Sequence, residues 1–419
     1  MTEYRRHILE DAMPGKRLET EDAAISSTQK LVSATLLAWK REGAAGISAR
    51  ALAGAAGLPV SSIYYHFGDL EHLLESAQSE ARAEAGRWCE AQLAAIQGEV
   101  RGAAALGPLL ATLVDDWCET RRTLAFAWRE CQLMALRDTR HLASSAKWDA
   151  LWQGFWQEIC VRLELADMAV ATAWMFDGVS AMHLLRWRRP VDRAALSELC
   201  DGWAGWLDGR LAAPAAWFEL ARRDAAALIP PPPHDDPVAD AVATAAAATV
   251  AHRGIAALTH RAVAAEAGVT LGVVSHKFRT SADLLHAAFE AIYRRMVPHS
   301  ASELAAVPEI GREEALARLD SGLPAREDLL GADELLSASA RDPAFHAFAA
   351  QLRYLRGRTS GRYFQALMGR DRPIGPADAA IASALMAGRS RAYVCGGRTR
   401  TPDTPTGDFT ALLARLDRR

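Results

Sequence analysis

The 419-residue sequence has no run approaching the roughly 20 apolar residues a membrane helix needs. Its opening, MTEYRRHILED, joins no apolar stretch to small residues as a secretory leader would, so a soluble, cytoplasmic protein is expected. A cationic excess is also missing. Lys and Arg number 48 against 51 Asp and Glu, a net charge of −3, which excludes a general basic coat and requires any nucleic-acid surface to be local. Cysteine is sparse: the six residues form no CxxC pair and have no His partner at ligand spacing, so neither a metal site nor a disulfide framework is expected. No cofactor is implied. Spacings for a nucleophile and base, paired carboxylates or a metal set are lacking too, which disfavours an enzyme. Asp115-Asp116 would point apart on a helix, and Asp235-Asp236 falls in a proline-rich stretch. Tryptophan stops at Trp217, so the two halves of the chain must be packed differently inside.

What is present is a repeat. Gly43–Leu74, GAAGISARALAGAAGLPVSSIYYHFGDLEHLL, aligns without a gap to Gly254–Leu285, GIAALTHRAVAAEAGVTLGVVSHKFRTSADLL. Gly43, Arg50, Gly57, Phe67, Leu73 and Leu74 recur as Gly254, Arg261, Gly268, Phe278, Leu284 and Leu285, and Ile47, Leu52, Leu58 and Ile63 face Leu258, Val263, Val269 and Val274. Upstream, Leu31, Thr35, Ala38 and Trp39 share one helical face, as do Val242, Ala246, Thr249 and Val250. Ser48 and Thr259 sit where a helix N-cap belongs, and Gly57 and Gly268 where a tight turn needs positive φ. Helix, short helix, glycine turn and short helix make the layout of a helix-turn-helix whose last helix enters a major groove.

ALAGAAGLPVSSIYYHFGDLEHLL and VAAEAGVTLGVVSHKFRTSADLL resemble the helix-two to helix-four signature of the TetR family of bacterial repressors. The resemblance implies an all-α fold. It comprises two tandem TetR-like units, each a three-helix DNA-binding head followed by a helical ligand-binding and dimerisation body, arranged as an intramolecular pseudo-dimer. The expected boundaries are an arm at 1–25, a head at 26–75, a body at 76–212, a linker at 213–236 containing four consecutive prolines, a second head at 237–286 and a second body at 287–419. In the bodies, Arg137-Asp138 aligns with Arg341-Asp342, and Asp177-Gly178 with Ala387-Gly388. Two chains pairing to carry four heads is the alternative assembly.

The expected partner is double-stranded operator DNA. Its readers would be Val60, Ser61, Ser62, Tyr64, Tyr65 and His66 in the first head, and Thr270, Leu271, Gly272, Val273, Ser275, His276 and Lys277 in the second, with Ile63, Phe67, Val274 and Phe278 turned inward. Ser48, Arg50, Thr259 and Arg261 are placed for phosphate at the starts of the second helices. The family's lysine at the start of helix four is replaced by Leu70 and Ser281, and its tyrosine, kept as Tyr64, becomes Ser275 in the second copy. Fewer phosphate contacts follow, with Lys277 and Arg279 as compensation. The two reading helices share no residue position by position, so an asymmetric operator is compatible with them.

The second expected partner is a hydrophobic or aromatic effector. Trp117, Trp128, Trp152, Phe155, Trp156 and Trp174 would line its pocket in the first body, with Asp177 and His183 as polar groups. Trp203 and Trp206 are assigned to the interface, and the Trp-free second body to dimerisation. The resemblance implies that ligand tilts the long helices at about 69–97 and 280–306 and moves the heads apart. The competing class is a ligand-responsive interaction protein whose heads no longer hold DNA.

Overall fold

Ser26 accepts a hydrogen bond from the Gln29 amide, and the Gln29 side chain returns one, so a capping box opens the first described helix. The structure, a computed structural model, describes residues 26–96, 98–228, 236–296, 310–321, 323–342, 345–396 and 407–417. Among them the regular elements are twenty α-helices and four short 3-10 helices, with no strand. No helix among the described residues is long and apolar enough to cross a membrane. The expected N-terminal arm and the proline run at 230–233 lie outside the described residues.

The first half begins with α1 (Ser27–Arg41), α2 (Ala49–Ala55), α3 (Ser61–Phe67) and α4 (Leu70–Ala95). It continues with α5 (Ala103–Glu119), α6 (Arg122–Arg137), α7 (Leu142–Arg162), α8 (Ala169–His183) and α9 (Arg189–Leu207). The second half repeats the order. Its helices are α11 (Pro237–Arg253), α12 (His260–Ala267), α13 (Leu271–Lys277), α14 (Ser281–Met296), α15 (Arg312–Ser321), α16 (Arg326–Arg341), α17 (His346–Tyr354), α18 (Arg358–Met368), α19 (Pro376–Val394) and α20 (Gly407–Asp417). The segment expected to be linker differs from that expectation, because it holds α10 (Ala216–Ala226). Phe218, Ala221 and Ala225 fall on one face of α10 and are buried, and the helix packs against α9 and α17.

The halves meet along α8 and α19, whose backbones all but touch. A Cβ on Gly178 would lie 2.0 Å from the Ala384 carbonyl oxygen, and one on Gly388 would lie 1.9 Å from that of Trp174. Each glycine thus meets the residue four before its counterpart, the reciprocity of a two-fold contact. The same symmetry recurs under the heads. Arg341 bonds Glu130 at 2.5 Å and the Trp39 carbonyl at 2.8 Å, while Arg137 bonds Glu334 at 2.6 Å and Glu334 accepts the Ile255 amide at 3.1 Å. Each half's Arg therefore reaches the Glu of the other half and the end of that half's α1 or α11.

Candidate nucleic-acid interface

The two heads are built alike. The Ser48 hydroxyl accepts from the Ala51 amide and the Thr259 hydroxyl from the Ala262 amide, each at 3.1 Å, capping α2 and α12. Gly57 at φ 67° and Gly268 at φ 65° make the turn in the left-handed region, where a side chain is penalised. Ile63 and Val274 are fully buried and Phe278 is buried beneath the second head, while Phe67 is half-buried. These anchors fix which face of α3 and α13 looks outward.

On that outward face Val60, Ser61, Tyr64, Tyr65 and His66 are exposed and Ser62 is half-buried. In the second head Thr270, Leu271, Gly272, Ser275, His276 and Lys277 are exposed and Val273 is half-buried. Tyr65 stands 84% exposed, edge-on to His66, and Tyr64 55% exposed. Arg50 and Arg261 are exposed, and neither has an ion-pair partner among the described residues.

Other groups are already engaged. Lys277 is ion-paired with Asp236, the cap of α11, and this pairing holds the Asp236 carboxyl below its ordinary value. The Thr270 hydroxyl caps α13. At the start of α4, Asp69 accepts the His72 amide at 2.8 Å, so an acid occupies the site where a helix N-terminus would otherwise draw phosphate. Thr280 and Asp283 cap the start of α14 in the same self-contained way. The signal for these caps, an Asp or Thr before each helical run, was present in the sequence.

Residues 243–288 match the family described as bacterial regulatory proteins, tetR family. The matched TetR segment takes in most of α11, all of α12 and α13, and the first turns of α14, which together form the second head. The first head is related to it by the 211-residue repeat from Gly43 to Gly254. No curated protein was found to match the chain.

Behind the first head, Trp117, Trp128, Trp152, Phe155 and Trp156 come together, joined by Trp88, Trp148 and Phe176 with ring centroids 4.8–6.3 Å apart. Trp174 stands apart, facing Tyr393 and Phe409 of the second half. The rings of the cluster fill the first body. The cavity that Trp128, Trp152, Trp174 and Asp177 line holds about 20 Å³, room for one water. The indole N–H groups of Trp117, Trp152, Trp156 and Trp174 are buried without an acceptor among the described residues.

Asp177 and His183, expected as polar groups of the effector pocket, are occupied by the joint between the halves. Asp177 accepts from Arg129 at 2.6 Å, Gln132 at 2.8 Å and Arg391 at 2.8 Å. Burial alone would raise its carboxyl, but the Arg129 and Arg391 guanidiniums outweigh burial and hold it low. Arg391 also grips Asp333 at 2.7 and 2.8 Å, bridging the halves. His183 accepts from Arg353 at Nδ1, 2.8 Å, so its proton lies on Nε2, 2.9 Å from Asp115. Burial and the Arg353 charge push the imidazole down to about 4, which keeps it neutral. Sequence reasoning missed Glu130 and Glu334, although they share the 204-residue offset of Arg137 and Arg341.

Proposed function

We propose that the chain is a ligand-responsive DNA-binding transcriptional regulator, a repressor released by an apolar or aromatic small molecule, with both heads supplied by one polypeptide. The observation that carries this reading is the pair of short helices α3 and α13. α3, anchored by inward Ile63, turns Ser61, Tyr64, Tyr65 and His66 to solvent, and α13, anchored by inward Val274, turns Ser275, His276 and Lys277. Tyr64 and Tyr65, 55% and 84% exposed beside His66, present rings and hydroxyls that suit base edges and phosphates. The TetR match over the second head supports the same reading.

The built-in pair is supported by reciprocity: Gly178 against Ala384 with Gly388 against Trp174, and Arg341 on Glu130 with Arg137 on Glu334. On this reading the two heads share one joint at high effective concentration, without an association step. Because α3 and α13 differ throughout, the operator read by this pair is asymmetric or only loosely palindromic.

The test is a gel shift on the DNA upstream of the gene with salt varied. Arg50→Ala and Arg261→Ala are each expected to weaken binding across sequences and to lower the salt slope by about 1. A second reading has its own support, since Asp69 caps the start of α4 and Lys277 is tied to Asp236. Absence of salt-sensitive binding to any upstream fragment would overturn the DNA-binding reading and favour a ligand-responsive interaction protein.

A further inference from the structure

A cavity of about 240 Å³ opens in the second half, bounded by α15, α18, α19 and α20 and closed on one side by Trp206 of α9. Trp206 lies parallel to Phe364, ring centroids 4.1 Å apart and planes 15° from coplanar, so a flat wall is made jointly by the two halves. The Trp206 N–H is fixed by Asp378 at 2.7 Å. Leu385, Met386 and Leu412 supply further apolar walls, while Arg318, Ser360 and Tyr363 supply the polar groups. Arg318 is exposed and only loosely paired, 4.0 Å from Glu314.

The corresponding space in the first half is filled. The 210-residue offset that aligns Gly178 with Gly388 places Phe176 where the second half has Met386. The Phe176 ring centroid lies 4.8 Å from that of Trp152, and at the 208-residue offset that pairs Phe155-Trp156-Gln157 with Tyr363-Phe364-Gln365 the place of Trp152 is taken by Ser360. The same helical frame is thus packed solid in one half and open in the other.

We propose that the chain binds one aromatic monocarboxylate per polypeptide in this cavity, with the ring system against the Trp206–Phe364 wall and the carboxylate toward Arg318, Ser360 and Tyr363. An apolar cavity of about 150 Å³ takes benzene, so this volume accommodates about ten carbon atoms. A guanidinium and two hydroxyls lining one cavity suit a planar anion. A ligand touching Trp206 and α18–α20 together binds only the arrangement of halves that forms this wall, which is the differential affinity a population shift needs. The inference deepens the regulator reading and rests on it for its consequence; the binding itself is measured without DNA.

Isothermal titration of the full chain with 2-naphthoate is expected to give one site per chain. The uncharged 2-naphthamide should bind about tenfold more weakly, and Arg318→Ala, a change at an exposed position, should reduce naphthoate to the level of the amide. Leu385→Trp fills the cavity and abolishes binding, whereas Trp152→Phe in the first-half cluster leaves it unchanged. Two sites per chain, loss with Trp152→Phe, indifference to both Arg318→Ala and Leu385→Trp, or no binding at millimolar naphthoate would overturn the proposal. A chain that shifts DNA but ignores naphthoate refutes this site alone; one that binds naphthoate but no DNA refutes the reading of the heads alone.

Discussion

Replacing Arg341 by alanine isolates the contribution of one cross-half contact to the joint. Arg341 belongs to the second half, yet its guanidinium bonds the Glu130 carboxylate at 2.5 Å and the Trp39 carbonyl at 2.8 Å, at the end of the first head's α1. The two charged side chains are 7% and 1% exposed. Removing one member of a buried pair strands the other, typically at 3–5 kcal/mol, and Arg137 at 3.6 Å from Glu130 offsets part of that. We therefore expect about 3 kcal/mol of destabilisation in urea unfolding. With about 2.1 cal/mol/K of unfolding entropy per residue, the corresponding fall in Tm is about 3 °C if the 419 residues melt as one unit. Arg341→Met with Glu130→Leu removes both charges and should recover most of the loss. The Arg341→Ala chain should also bind upstream DNA more weakly than wild type, because the first head loses its anchor to the second half. A single-variant loss below about 1 kcal/mol, or a double variant no better than the single, would refute the argument that this contact is a buried, coupled pair.

Three other outcomes follow from the same joint and core. Gly178→Ala forces a methyl onto the Ala384 carbonyl and should destabilise by at least the upper end of the ~1–3 kcal/mol usual for overpacking; a urea midpoint unchanged from wild type would contradict the close α8–α19 crossing. His183 is depressed from 6.5 to about 4 in the folded chain, so its contribution is complete above pH 6.5 and is lost as pH falls toward 4. Unfolding free energy should then drop more steeply over that window in wild type than in His183→Gln, by up to about 3 kcal/mol, and parallel curves would exclude the buried neutral imidazole. Burial raises the Cys89 and Cys131 thiols to about 12 and Cys160 to about 11, so a thiol reagent at pH 8 should label none of these three until the chain unfolds.

In the sequence Asp177 is a candidate ligand-facing group and Gly178 only a landmark aligned with Gly388, whereas the structure gives both residues a role in the joint. Gly178 is small because the α19 backbone passes against it, and Asp177 is buried because Arg391, 214 positions later, reaches it. The charges at this joint are not copies of one another. Arg129 in the first half occupies the place of Asp333 in the second, and Ala181 the place of Arg391, so only the pairing of unlike halves completes the Asp177–Arg391–Asp333 chain.

The sequence determined the heads, because each device there is local. A hydroxyl three residues before the amide it caps, a glycine at a turn and an inward Ile or Val every helical turn act within ten residues of one another, and Ser48, Gly57 and Ile63 sit as their spacing requires. Only the tertiary structure decided the bodies. Whether a tryptophan cluster lines a pocket or fills it depends on volume summed over several helices, and whether Asp177 or His183 is free depends on arginines more than 160 residues away. Hence the open space fell in the half without tryptophan, where Ser360 and Met386 stand in the places of Trp152 and Phe176.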